Sequence, residues 1–160
     1  MFLRTVKESD LSELYTYINS MHLTSEHQFR LSFYETGFWT EDKGTLLILH
    51  KDQLIGAIWF EKQLPSECLD LRFAIFLPEH RNQGYMTEGL KLAVRYLFAT
   101  QKTQRLQISV PDYSKPILRL AQKCGFQFEG IARSALFQRG AYVDLCIYSL
   151  LRKEIEKIHS

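Results

Sequence analysis

The sequence predicts a mixed α/β domain, and three observations carry that prediction. Apolar spacing changes period within one short stretch: Leu69, Leu71, Phe73, Ile75 and Leu77 alternate with Asp70, Arg72, Ala74 and Phe76, whereas beyond Gly84 the residues Leu90, Ala93, Val94 and Leu97 recur at helical spacing. Further strand-like and helix-like runs follow one another on both sides of this stretch, bounded by Gly, Pro or capping residues. The 160 residues, 46% of them apolar, have the size of one domain with a substantial core, so a single domain spanning 1–160 is expected.

In chain order, residues 2–6 alternate as a short strand, and Ser9-Asp10 ahead of Leu11, Leu14, Tyr15 and Ile18 reads as a capped helix. Thr24 or Ser25 caps a second helix through Phe29, Phe33 and Tyr34, which Gly37 ends. Phe38 and Trp39 then fall in a loop, where aromatics either pack into the core or wall a substrate site. Residues 45–50 and 54–61 are strands joined across Lys51-Asp52-Gln53, and Gly56 inside the second marks a bulge or a close backbone contact. Residues 68–77 form the central strand, followed by the central helix. Residues 105–110 are another strand, stopped by Pro111, and Ser114 with Pro116 opens a helix through Ile117, Leu118, Ala121 and Cys124 to Gly125. Residues 126–137 and 141–151 flank Arg139-Gly140, a tight hairpin turn, and the chain reads as frayed from Lys157.

Composition excludes several classes of function. A net charge of +2 from 20 basic and 18 acidic residues argues against nucleic acid or another polyanion as partner. No apolar run approaches the ~20 residues of a membrane span, and Met-Phe-Leu-Arg-Thr-Val-Lys lacks signal-peptide order, so a cytoplasmic protein without a membrane partner is expected. Cys68, Cys124 and Cys146 each sit in an apolar pattern and read as reduced core thiols. His22, His27, His50, His80 and His159 show no metal-ligand spacing, so no metal is expected.

The strand-turn-helix around Arg81-Asn82-Gln83-Gly84 has the makings of an anion site. The first N–H groups of a helix lack intrahelical partners, the macrodipole is positive there, and glycine admits close approach to the backbone. Neither Gly-x4-Gly-Lys-Ser/Thr nor Gly-x-Gly-x-x-Gly is present. The bland alternative is a glycine that eases a turn beside a solvated Arg81.

Arg81-x-x-Gly84-x-Met86 resembles the Arg/Gln-x-x-Gly-x-Gly/Ala pyrophosphate loop of the GNAT acetyl-CoA-dependent N-acetyltransferases, with Met86 where that family usually has Gly or Ala. Lys123-Cys124-Gly125-Phe126-x-x-Glu129-Gly130, Gly140-x-x-x-Asp144 and Tyr148-Ser149-Leu150 are similar to the C-terminal signature of the branch containing ribosomal-protein serine and alanine N-acetyltransferases. The resemblance implies a mostly antiparallel sheet of about seven strands with splayed central strands, and about four helices. It implies acetyl-CoA as co-substrate, held by Phe76, Leu77, Arg81, Asn82, Gln83, Gly84, Tyr85, Met86, Thr87, Ser114 and Lys115. Pantetheine would pair with freed backbone near Phe76 and Leu77, and the pyrophosphate would meet the N–H groups of 83–87. The acceptor would be a small-molecule amine or a protein N-terminus, and a homodimer is left open.

The same resemblance exposes two departures. A serine proposed as acid in that branch corresponds to Ile117, and a glutamate proposed as base corresponds to Leu136. Asp70 on the central strand is then the first candidate base, with Tyr113 as acid and Glu129 as a further candidate. Each has a plainer role: Asp70 in an ion pair with Arg72 or a neighbouring strand, Tyr113 as a surface or packing residue, Glu129 as an exposed strand carboxylate. Phe38 and Trp39 with Phe137 and Tyr142 are the expected walls around an α-amine or a small weakly basic amine. The competing reading is a CoA-binding sensor or interaction module that has lost its chemistry.

Overall fold

The computed structural model describes residues 1–19 and 25–158, so the Thr24 alternative for the second helix cap, along with His22 and His159, lies outside the described residues. Seven strands form one sheet: β1 (Phe2–Thr5), β2 (Lys43–His50), β3 (Gln53–Lys62), β4 (Leu69–Ile75), β5 (Arg105–Pro111), β6 (Gln127–Gln138) and β7 (Ala141–Leu151). Its order is β1-β2-β3-β4-β5-β7-β6, antiparallel except where β4 runs parallel to β5. The described helices are α1 (Leu11–Ile18), α2 (Glu26–Thr36), α3 (Tyr85–Thr100), α4 (Lys115–Lys123) and α5 (Arg152–Ile158).

Alternation explains how the layers assemble. Leu69 and Leu71 of β4 join Leu106 and Ile108 of β5 in a cluster with Leu90, Val94 and Leu97 of α3, and Ala121 of α4 closes it. Each buried Leu or Ile there contributes about 1.5–3 kcal/mol of transfer free energy. Leu11 and Leu14 of α1 and Phe29 of α2 pack with Leu47, Leu54 and Ala57 in a second cluster. Helices α3 and α4 thus share one cluster and α1 and α2 another.

Turn chemistry fixes the registers. Lys51 and Asp52 have positive φ and join β2 to β3 with His50 opposite Gln53, a two-residue turn one residue shorter than the sequence pattern suggests. Arg139 and Gly140 do the same between β6 and β7, with Gln138 opposite Ala141. The register shifts beside Gly56, where Ile48 faces Gly56 but Leu49 faces Leu54, so the glycine adjoins a bulge. A methyl group there would lie 2.4 Å from the Ala74 carbonyl oxygen, so close backbone contact is present as well.

Some elements differ from expectation. Ser25 caps α2 by accepting from the Gln28 N–H (3.2 Å), and Gly37 ends that helix with left-handed φ. Asp10 does not cap α1, because its carboxylate accepts from the Lys7 N–H (2.7 Å) and holds the Arg4 guanidinium (2.6 Å) over a short 3-10 turn. Helix α5 replaces part of the expected frayed end. Its first residue, Arg152, donates to the carbonyls of Gln101 (2.7 Å), Thr103 (2.8 Å) and Phe98, satisfying groups at the end of α3 and beyond it that lack helical partners. All three cysteines are free and buried.

Candidate active site

The parallel β4–β5 pairing consists of Leu69–Leu106 and Asp70–Gln107, after which the strands part. β5 instead continues against β7 as far as Pro111 opposite Leu145. Ladder geometry identifies the backbone groups this parting frees. The Phe76 N–H donates to the Ile55 carbonyl (3.0 Å), so alternation turns the N–H and C=O groups of Phe73 and Ile75 away from β3 and into the gap, where the Ile75 carbonyl accepts from the Arg81 guanidinium (3.5 Å).

Below the gap lies the N-terminus of α3. A 3-10 turn over Pro78–His80 leads to Arg81, and both Asn82 (φ 58°) and Gly84 (φ 81°) are left-handed. This folds the loop so that the first N–H groups of α3 converge on one side, as in an anion-binding nest. A methyl on Gly84 would meet nothing within 4 Å, so that side of the loop is open. A cleft of about 610 Å³ runs from Phe73, Ala74 and Ile75 past Arg81, Asn82 and Gly84 to the α3 N-terminus. Its far wall is α4, through Pro116, Ile117, Arg119, Leu120 and Lys123. Open strand backbone, a helix N-terminus and three basic side chains suit an amide-bearing arm that ends in phosphates.

A second cavity of about 480 Å³ lies between the α1–α2 pair and the sheet. Phe38 and Trp39 line it, and so do Trp59 of β3 and Asp70 and Arg72 of β4. Phe73 lines both spaces, so the two adjoin at the point where β4 and β5 part. The loop aromatics fill both roles that the sequence left open: Phe38 packs on Phe29 (ring centroids 5.0 Å apart) and Trp39 on Phe60 (5.0 Å) while forming the wall. Gly44 makes that corner, since a methyl on it would come within 2.5 Å of the Phe60 ring and 2.7 Å of the Trp39 ring.

Asp70 is the one carboxylate among the described residues with a buried oxygen, Oδ1, that lacks a hydrogen bond. Burial raises its pKa, against opposing contributions from Gln63 and Arg72. The expected ion pair with Arg72 is not made; Arg72 instead approaches Glu61 (4.0 Å) at the exposed rim.

Other candidate residues are placed elsewhere. Glu129 is held by Arg105 and accepts a hydrogen bond from the Ser149 hydroxyl, which together lower its pKa to about 2. It is thus a very weak base, and it lines neither cavity. Tyr113 is exposed, and its hydroxyl donates to Gln138 on the β6 tip, also away from both spaces. Phe76 stacks on Tyr17 (4.6 Å) and its N–H is spent in the ladder, and the Leu77 carbonyl accepts from the His80 N–H (3.1 Å), so the strand backbone facing the gap is that of Phe73 and Ile75. Tyr85, Met86 and Thr87 line the cleft, but Gln83, Ser114 and Lys115 do not. Ile117 lies in the cleft without a hydroxyl, while Leu136 borders neither space. Phe137 and Tyr142 pack on each other (5.1 Å) at the hairpin tip, away from the aromatic cavity, so they do not form its walls. Sequence reasoning missed Arg119 and Lys123, whose four-residue spacing along α4 was the available signal.

A family model described as "Acetyltransferase (GNAT) domain" matches residues 1–127. The SPbeta prophage-derived uncharacterized N-acetyltransferase YokL of Bacillus subtilis (strain 168) is 23% identical over 98% of this chain and 93% of its own length. The spermidine N-acetyltransferase of Vibrio cholerae, solved with CoA and spermine, superposes with a TM-score of 0.83 at 18% identity over 95% of both chains. The ribosomal L7/L12 α-N-protein acetyltransferase RimL, solved with coenzyme A, gives 0.78 at 18% identity over 93% of this chain and 92% of that one. Parted central strands, an anion-ready α3 loop and a family match across most of the sequence therefore agree: the chain belongs to the GNAT acetyltransferase family, whose members transfer an acetyl group from acetyl-CoA to an amine.

Proposed function

We propose that this chain, as one catalytic domain in the cytoplasm, acetylates the neutral form of an α-amine or a small weakly basic amine, with Asp70 as its proton acceptor. The carrying observation is that the coenzyme cleft and the aromatic cavity adjoin at Phe73, with the unpartnered Asp70 oxygen lining the aromatic side. Acetyl-CoA, when bound, supplies the activated thioester. The N–H groups of Tyr85, Met86 and Thr87, with Arg81, Arg119 and Lys123 beside them, would hold the pyrophosphate, and the backbone of Phe73 and Ile75 would hold the arm. A gap-facing N–H of β4 polarises the carbonyl that the amine attacks.

In the balance of the reaction, a carbon–nitrogen bond forms and the carbon–sulfur bond breaks. The amine gives up a proton to Asp70, and CoA leaves as a thiolate that is protonated from solvent. Burial suits Asp70 to this task, because a raised pKa strengthens the carboxylate as a base. An α-amine, with a pKa near 7.7–8.0, asks less of that base than a lysine near 10.4.

The test is release of free CoA thiol from acetyl-CoA across a panel of amines and N-terminal peptides, beside calorimetry with CoA. Saturable binding with amine-dependent thiol release is expected. A second reading, a CoA-binding module without chemistry, is favoured by Ile117 in the cleft and by the engagement of Tyr113 with Gln138. Tight CoA binding with no turnover on any amine would establish that reading instead.

A further inference from the structure

The aromatic cavity carries information about the acceptor that the transferase reading does not use. Six aromatic side chains line it: Phe29, Phe38, Trp39, Trp59, Phe60 and Phe73. Its hydroxyls are largely committed to their own turns. Ser32 donates to the Gln28 carbonyl (3.0 Å), Thr36 to that of Ser32 (3.3 Å), and Thr40 to that of Lys43 (3.3 Å). A peptide backbone entering this space would leave its N–H and C=O groups short of partners, at about 1–3 kcal/mol for each buried group.

The charges are arranged in depth. Asp70 presents the buried, unpartnered oxygen, whereas Glu61 is exposed and faces Arg72 at 4.0 Å, and Glu35 is exposed on α2. One carboxylate whose buried oxygen lacks a hydrogen bond fits one ammonium. The aromatic faces fit an apolar body behind it and add cation–π attraction close to the amine. A second ammonium further along the same molecule would have to leave water among the rings or compete with Arg72 at the rim.

We propose that the acceptor is a compact primary monoamine whose amino group is carried on an aromatic or branched apolar body, seated among these rings with its nitrogen at Asp70. This rests on the transferase reading and narrows it. The amine enters as the ammonium, passes one proton through Asp70 to solvent and presents its lone pair toward Phe73 and the cleft; after attack the nitrogen gives its second proton to the regenerated Asp70 carboxylate, and CoA leaves as the thiolate that solvent protonates.

The experiment measures kcat/KM by thiol release with saturating acetyl-CoA for phenylalaninamide and leucinamide, whose amino groups are α-amines on an aromatic and a branched body, and for spermidine and a serine-initiated peptide. The two monoamines are expected to exceed spermidine and the peptide by about tenfold or more. Trp59→Leu is expected to raise KM for phenylalaninamide about tenfold and leave KM for acetyl-CoA unchanged. A better rate on spermidine or on the peptide, or an unchanged amine KM in a folded Trp59→Leu protein, overturns the monoamine assignment and leaves acetyl transfer standing. Acetyl-CoA binding with no turnover on any of the four overturns both.

Discussion

Gly56→Ala tests whether the backbone of β4 is positioned for the reaction. The added methyl would lie 2.4 Å from the Ala74 carbonyl oxygen and 3.1 Å from Ile75 Cδ1, and such carbons essentially never approach closer than 3.0 Å. The obstacle is backbone, which cannot rotate aside as a side chain can, so β3 and β4 must separate locally by about 0.6 Å. Overpacking of this kind costs about 1–3 kcal/mol, which lowers Tm by about 2–12 °C for a domain of this size. The displaced segment, Ala74 and Ile75, borders the coenzyme cleft, and productive geometry tolerates only about 0.5 Å. Turnover is therefore expected to fall about tenfold or more, while acetyl-CoA affinity, set mainly by the α3 loop, changes less than about threefold. Thermal unfolding, calorimetry and thiol release on one preparation measure all three, with Gly130→Ala as the control because its added methyl meets nothing within 4 Å. A Gly56→Ala protein with native Tm and native kcat would refute the close β3–β4 contact and the positioning role together.

Three further outcomes follow from the site. Gly84→Val is expected to weaken acetyl-CoA binding about tenfold by calorimetry, because a β-branched residue at φ 81° adds about 1–2 kcal/mol of strain to the loop although it collides with nothing. Asp70→Asn is expected to lower turnover about 10²-fold with unchanged acetyl-CoA affinity, and without loss of stability at pH 7. The sign follows from burial: a raised carboxylate pKa stabilises the fold below the ordinary carboxylate range, and that contribution is lost as pH rises through the raised value, so the neutral side chain removes a liability at pH 7. Glu129→Gln is expected to keep activity within about threefold and to flatten the acid limb of the stability curve. Wild-type Glu129 contributes above its ordinary 4.5, and the contribution is lost as pH falls toward about 2, which melting curves across that window would show.

The fold was legible where periodicity and punctuation agreed. The switch from alternation to helical spacing across Gly84 located β4 and α3, and Gly37, Gly125 and Arg139-Gly140 fall at the ends and turns they marked. Asn82 was not legible as left-handed, because asparagine is only enriched in that region while glycine occupies it freely. Helix α5 was missed since its anchor is tertiary: Arg152 reaches carbonyls around the end of α3, a partner about 50 residues away in sequence. In the coenzyme cleft, the loop from Arg81 to Thr87 could be read because its geometry is local. Which strand groups face the gap was not legible, since it depends on the β3–β4 hydrogen-bond phase that the Phe76–Ile55 bond sets.

The two candidate bases show the same division for chemistry. Asp70 and Glu129 are both strand carboxylates, and the sequence ranks Asp70 first only through its place on the central strand. The structure separates them through pairing. Gly130 sits opposite Ile147 while Phe128 sits opposite Tyr148, so the intervening Glu129 is the extra residue of a bulge, and it meets Arg105 and Ser149. Two strong donors fix that carboxylate as a structural anion. Asp70 is opposite Gln107 on β5 and Glu61 on β3, so no cation stands across from it on either strand, and one of its oxygens is buried without a hydrogen bond. Burial, with Glu61 rather than a cation on the neighbouring strand, raises the Asp70 pKa and makes it the stronger base of the two. Two strand carboxylates thus become a structural anion at Glu129 and a candidate base at Asp70, and what each meets across the sheet, not its residue type, decides which.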